Sequence, residues 1–172
     1  MARYENLNVN ELSIDGVLIT STAAEINAVD GITATVAELN TLDDAPANVT
    51  ISYAASATTD GIEATFTVVD AAGVAIDAVH SLEIWISDAA DGVALTSTAA
   101  SGALTAPSVG TIRTATTAKK HIQALTAATG IITLLLVDSA NTAGERFVCK
   151  HPVTGKSIVG AATVATDYEG GV

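Results

Sequence analysis

The feature that most constrains this chain is a tandem repeat of thirteen residues near its start: TSTAAEINAVDGI at 20–32 is followed directly by TATVAELNTLDDA at 33–45. Each copy opens with a capping box, Thr22 with Glu25 and then Thr35 with Glu38. In that arrangement the Thr hydroxyl accepts from the third amide of a helix and the Glu reaches back to the cap. Each copy then sets two apolar residues three apart, Ile26 and Val29, then Leu39 and Leu42, which share one face of a short helix. Asp30-Gly31 supplies a left-handed stop after the first copy.

Helices of about two turns do not persist alone in water, because nucleation is costly and few hydrogen bonds repay it. Each stripe is narrow and needs something to cover it. Packing on the rest of the same chain is one solution. Lateral packing against the same segment of other chains is the favoured one, with three chains around an axis. Ile26, Val29, Ile32, Val36, Leu39 and Leu42 are then the expected oligomer interface. Ahead of the repeat, Leu12-Ser13-Ile14 and Val17-Leu18-Ile19 flank Asp15-Gly16, a pair suited to a two-residue hairpin turn.

Charge divides along the same line. The first 45 residues hold eight acids against Arg3, a net of −7, which leaves −5 of the formal −12 for the remainder. A chain this acidic repels phosphate backbones, so no nucleic acid is expected as a partner. The single cysteine, Cys149, excludes an internal disulfide and fits a reducing compartment. The start lacks the apolar core of a secretory leader. The longest apolar run, 131–137, is far short of the roughly 20 residues that span a bilayer. No membrane association is expected, and synthesis in a cytoplasm is.

Pro46 blocks helix continuation, and from Val49 the apolar period becomes two, so domains of 1–45 and 46–172 are expected. Strands are expected at 49–55, 62–69, 80–87, 92–96, 111–117, 120–126, 131–137, 146–151 and 157–164, separated by turn residues such as Asp60-Gly61 and Thr129-Gly130. Short strands at this spacing predict an all-β sandwich. Leu82, Ile84 and Ile86 alternate with Glu83 and Trp85, which puts the trio in the core and Trp85 on the outer face, under a loop, at an interface or as an exposed anchor.

Residues 22–43, TAAEINAVDGITATVAELNTLD, resemble the repeat of tailed-bacteriophage fibre, tail, head-fibre and capsid-decoration proteins. The resemblance implies a virion structural protein with a trimeric stem or attachment segment. It implies particle attachment through the N-terminal segment, with Tyr4, Leu7, Val9, Leu12 and Ile14 as the contacts, a major capsid protein or other virion protein as partner, and a place on the virion surface. Residues 66–76, FTVVDAAGVAI, and 129–138, TGIITLLLVD, resemble bacterial and phage immunoglobulin-like modules, although the cysteine pair with a core Trp is missing. The expected fold class is therefore mainly β: a C-terminal immunoglobulin-like sandwich, preceded by an extended or hairpin segment and two short capped helices that form an oligomeric stalk. The short chain favours a capsid decoration or head fibre over a tail-associated fibre or adaptor that binds a receptor.

Chemistry-bearing constellations are sparse. Cys149 and His151 share a strand face but lack an oxyanion motif, and a structural Cys is favoured. Zinc fails on ligand count, and the acidic turns at Asp88 with Asp91 and Asp43 with Asp44 lack the spaced oxygen ligands of a calcium loop. Lys119-Lys120-His121 reads as a solvated basic strand end, open to an acidic neighbour. No nucleotide-binding or nucleophile-elbow motif occurs. No enzyme, catalytic residue, cofactor or metal is expected.

Overall fold

The structure, a computed structural model, describes residues 12–14, 17–19, 45–140 and 143–170. The chain divides into two units, Met1–Leu39 and Asn40–Val172. In the first, β1 (Leu12–Ile14) pairs antiparallel with β2 (Val17–Ile19), Leu12 opposite Ile19 and Ile14 opposite Val17. That antiparallel register is the one the hairpin reading requires. The two capped helices expected from the repeat lie outside the described residues.

The second unit is two antiparallel sheets. One orders β3 (Asn48–Ala55), β4 (Gly61–Val69), β9 (Ile131–Val137) and β6 (Leu104–Thr105) as β3-β4-β9-β6. The other orders β11 (Ser157–Val159), β10 (Arg146–Lys150), β5 (Ser81–Ser87), β8 (His121–Leu125) and β7 (Thr111–Thr117) as β11-β10-β5-β8-β7. Among the described residues there is no α-helix, and one short 3-10 turn, Ala165–Asp167, follows the last strand.

The period-two pattern decides which side chains are inside. Ile62, Ala64, Phe66 and Val68 of β4 and Ile132, Leu134 and Leu136 of β9 form one inner face; Leu82, Ile84 and Ile86 of β5, Ile122 and Ala124 of β8, and Phe147 and Cys149 of β10 form the other. Each large aliphatic side chain removed from water contributes about 1.5–3 kcal/mol. Phe66 meets Phe147 edge-on across the two sheets at 6.2 Å, and Tyr53 of β3 lies 5.7 Å from Phe147. The Tyr53 hydroxyl donates to Ala161 O at 2.9 Å and accepts from Phe147 N at 3.3 Å, so it ties β3 to the chain around β10 without a disulfide.

One expected strand is absent and one was unforeseen. Residues 92–96 form a loop instead of a strand. Their alternation of Val93 and Leu95 reflects exposure, at 77 % and 40 %, and not a buried face. Leu104–Thr105 pairs instead with β9 at the sheet edge. Its two residues are too few to carry a periodic signal.

Candidate functional site

The outer face of the five-stranded sheet is where polar and apolar side chains converge. Glu83 and Trp85 project there from β5, His121 and Gln123 from β8, Val148 and Lys150 from β10, and Ser157 and Val159 from β11, because each alternates with an inward core residue. Glu83 is the hub. Its Oε2 lies 2.7 Å from Lys150 Nζ and its Oε1 2.9 Å from His121 Nε2, so one carboxylate bridges three strands. The Lys150 hydrogen bond, against the opposing effect of burial and with help from His121, holds the Glu83 carboxyl below the usual range.

Trp85 is covered. It is 8 % exposed, and its indole Nε1–H donates to Gly92 O at 2.7 Å. The loop that supplies Gly92 is closed by Thr96 N donating to Ile86 O and by Ser97 N donating to Asp88 Oδ2. It lies over Trp85, Val148 and Val159, a small second core on the outer side of the sheet. His121 meets the indole edge-on at 6.1 Å. Beside this cover the sheet is open, as a cleft of about 390 Å³ lined by Glu83, Trp85, Val93, Leu95, His121, Lys150 and Ser157. Chemically it offers the spare N–H donors of Lys150, the remaining lone pairs of Glu83 and an apolar lip at Val93 and Leu95.

The sequence-derived candidates are distributed as follows. Ile26, Val29, Ile32, Val36, Leu39, Leu42, Tyr4, Leu7 and Val9 lie outside the described residues. Leu12 and Ile14 are backbone members of β1. Cys149 is fully buried in the core, and burial pushes its thiol up to about 12, so it is a neutral packing group at physiological pH. His151 is turned to another task. Its Nδ1 accepts from Val153 N at 3.2 Å and Thr154 N at 3.1 Å, which closes the turn after β10.

Lys119 and Lys120 are not a free basic spot. Lys119 Nζ donates to Ala100 O and Ser101 O, and Lys120 Nζ donates to Thr96 O and Ser97 O, all at 2.8–3.1 Å. Lys119 itself adopts φ +62 in the turn between β7 and β8. The sequence gives no sign of this stapling, nor of the buried Glu145, whose Oε1 accepts from Thr96 Oγ1 at 2.8 Å, because both depend on contacts between distant segments. Among the described residues no group of three or more His, Cys, Asp or Glu side chains is placed to hold a metal ion, and no helix is long and apolar enough to cross a membrane. No protein-family model matches the chain, and no curated protein and no solved structure matches it.

Proposed function

We propose that this chain is a structural, non-enzymatic protein of a tailed-bacteriophage virion, a capsid decoration protein or head fibre. Residues 1–45 attach to the particle and hold three chains together, and the sandwich projects outward. The observation that carries the reading is the thirteen-residue repeat at 20–45, whose short capped segments need neighbours to bury their apolar stripes. The strand orders lend support to an immunoglobulin-like assignment. Reading β3, β4, β9 and β6 as strands A, B, E and D, and β11, β10 and β5 as G, F and C, reproduces the two sheets of a constant-type domain, with the β7–β8 hairpin added beside C. Made in the host cytoplasm, the protein would reside on the virion surface with the major capsid protein or another virion protein as partner.

Particle reconstruction tests this directly. The expected outcome is density for trimers at capsid symmetry positions, with the sandwich outermost. Absence of the chain from purified particles sinks the proposal.

A second reading, a tail-associated fibre or adaptor whose sandwich binds a host receptor, draws on the open cleft beside Glu83 and Lys150 with its exposed Val93 and Leu95. Under that reading, free protein added to cells competes with infecting phage. Under the decoration reading it does not.

A further inference from the structure

The turn after β10 holds a histidine with one nitrogen to spare. His151 continues the ladder between β10 and β11: its N–H donates to Lys156 O at 2.8 Å, and Gly155 N donates back to His151 O at 3.0 Å. Phe147 and Cys149 of β10 face the core, and Ile158 of β11 packs against it, so strand alternation directs His151 and Lys156 to the same inner side. His151 is 6 % exposed. Its Nδ1 accepts from Val153 N and Thr154 N. A ring nitrogen that accepts carries no hydrogen, so the neutral imidazole holds its proton on Nε2, which is a donor. Among the described residues Nε2 has no hydrogen-bond partner, and less than 1 Å² of it meets solvent. A buried N–H in that state has given up water without replacement, so an acceptor brought to it recovers the loss.

On that side the sandwich opens as a cleft of about 500 Å³, in which His151, Lys156 and Thr154 supply donors and Pro46 and Ile158 an apolar wall. The chain has 19 acids against seven Lys and Arg, yet no Asp or Glu is among the described residues that line this cleft. Lys156 is exposed, and the ion pairs among the described residues all belong to Glu83, so its ammonium has no carboxylate there. We propose that this cleft binds a small organic carboxylate: one oxygen accepts from His151 Nε2, the other faces the Lys156 ammonium, and a short aliphatic body lies along Pro46 and Ile158. A slight tilt of the ring about its two amide contacts, at 3.2 and 3.1 Å, turns the N–H to the ligand. Two donors beside an apolar wall suit two oxygens on a carbon chain better than a wholly polar oxyanion. The carboxylate has two possible sources, a separate molecule or Asp43 and Asp44, which precede Pro46 in the sequence. Neither reading of the virion role requires such a site.

Two measurements on the full chain at neutral pH test this. Nitrogen-15 spectra of His151 should show a bare Nδ1 and a protonated Nε2; the opposite tautomer overturns the proposal. Sodium butyrate is then titrated at constant ionic strength, with the His151 ring nitrogens and the Lys156 side chain followed by NMR. The expected result is saturable shifts at both residues with a Kd on the order of 1 mM. Butyramide keeps the aliphatic body and loses the charge, and it should bind at least about tenfold more weakly. His151→Asn keeps an acceptor for the Val153 and Thr154 amides and removes the Nε2 donor, so it should weaken butyrate at least about tenfold. Lys156→Gln should weaken it about two- to fivefold, as for an exposed charge, and reports even where the His151 variant fails to fold. Asp43→Asn with Asp44→Asn separates the two sources. Binding to the wild type supports the site with a separate carboxylate as ligand. Binding only to the double variant supports it with the chain's own aspartates as occupant. No saturable shift at His151 in either protein, or butyramide binding as tightly as butyrate, overturns the proposal.

Discussion

Gly92→Ala is the substitution that most directly tests how the outer face is built. Gly92 has φ +70, and a Cβ there would lie 2.7 Å from Val159 Cγ2 and 2.9 Å from Val148 Cγ2. Adopting the left-handed conformation costs an L-residue about 1–2 kcal/mol. Forcing a methyl group against the fully buried Val148 adds about 1–3 kcal/mol of overpacking. The loop can relieve the clash only by lifting, and lifting pulls Gly92 O away from the Trp85 indole, a buried donor whose loss of partner costs about 1–3 kcal/mol. Whichever route is cheaper, the sum is about 2–5 kcal/mol. At about 4 °C per kcal/mol for a domain of this size, the expected fall in Tm is about 8–20 °C. Trp85 is the chain's one tryptophan, so its fluorescence reports on this loop alone and should shift to the red in the native state. Gly73→Ala is the matched control. Its φ is +83, but nothing lies within 4 Å of the added methyl, so only the conformational part remains, about 1–2 kcal/mol. A Gly92→Ala protein as stable as Gly73→Ala, with unchanged emission, would refute the account of the loop as a packed cover.

Three further outcomes are expected. Tyr53→Phe removes the hydroxyl that joins Ala161 O and Phe147 N across the sandwich edge and should cost about 1–3 kcal/mol in urea unfolding, with the m-value unchanged. Glu83 has a lowered carboxyl pKa, so the stabilisation it contributes is present above the unfolded glutamate value and is lost as pH falls through the folded one. Lys150→Met should weaken that acid dependence by no more than about 1 kcal/mol, since Lys150 is half-exposed; this is measured by comparing denaturation curves on either side of the titration. Ile26→Asp combined with Leu39→Asp should convert the expected trimer to monomer in light scattering and leave the sandwich's unfolding transition in place; a wild-type chain that is already monomeric, free and on particles, defeats the stalk.

The inner faces of the sandwich were legible in the sequence because burial there follows a local rule. Leu82, Ile84 and Ile86 alternate, and the alternation alone separates core from surface. The same rule placed Glu83 and Trp85 outside the core, but it is silent about what an outward residue meets. That depends on strand order and register. Glu83 reaches both His121 and Lys150 because β5 lies between β8 and β10, whose sequence positions are far apart. The error at 92–96 has the same origin. Val93 and Leu95 alternate like a strand, yet Gly92 at positive φ and the closure of Thr96 onto Ile86 fold the segment back over Trp85 before it can pair.

Sequence alone places Lys119 and Lys120 in solvent for the complementary reason. A lysine's default is water, and only the loop carbonyls at 96–97 and 100–101, brought near by β7 and β8, override it. This chain therefore uses apolar periodicity to join its two sheets and long-range polar contacts to fix the loops on them. Substitutions in the first set should change global stability. Substitutions in the second, such as Lys120→Met or Thr96→Val, should loosen loop 96–101 in hydrogen exchange and leave the core amides of β4 and β9 protected.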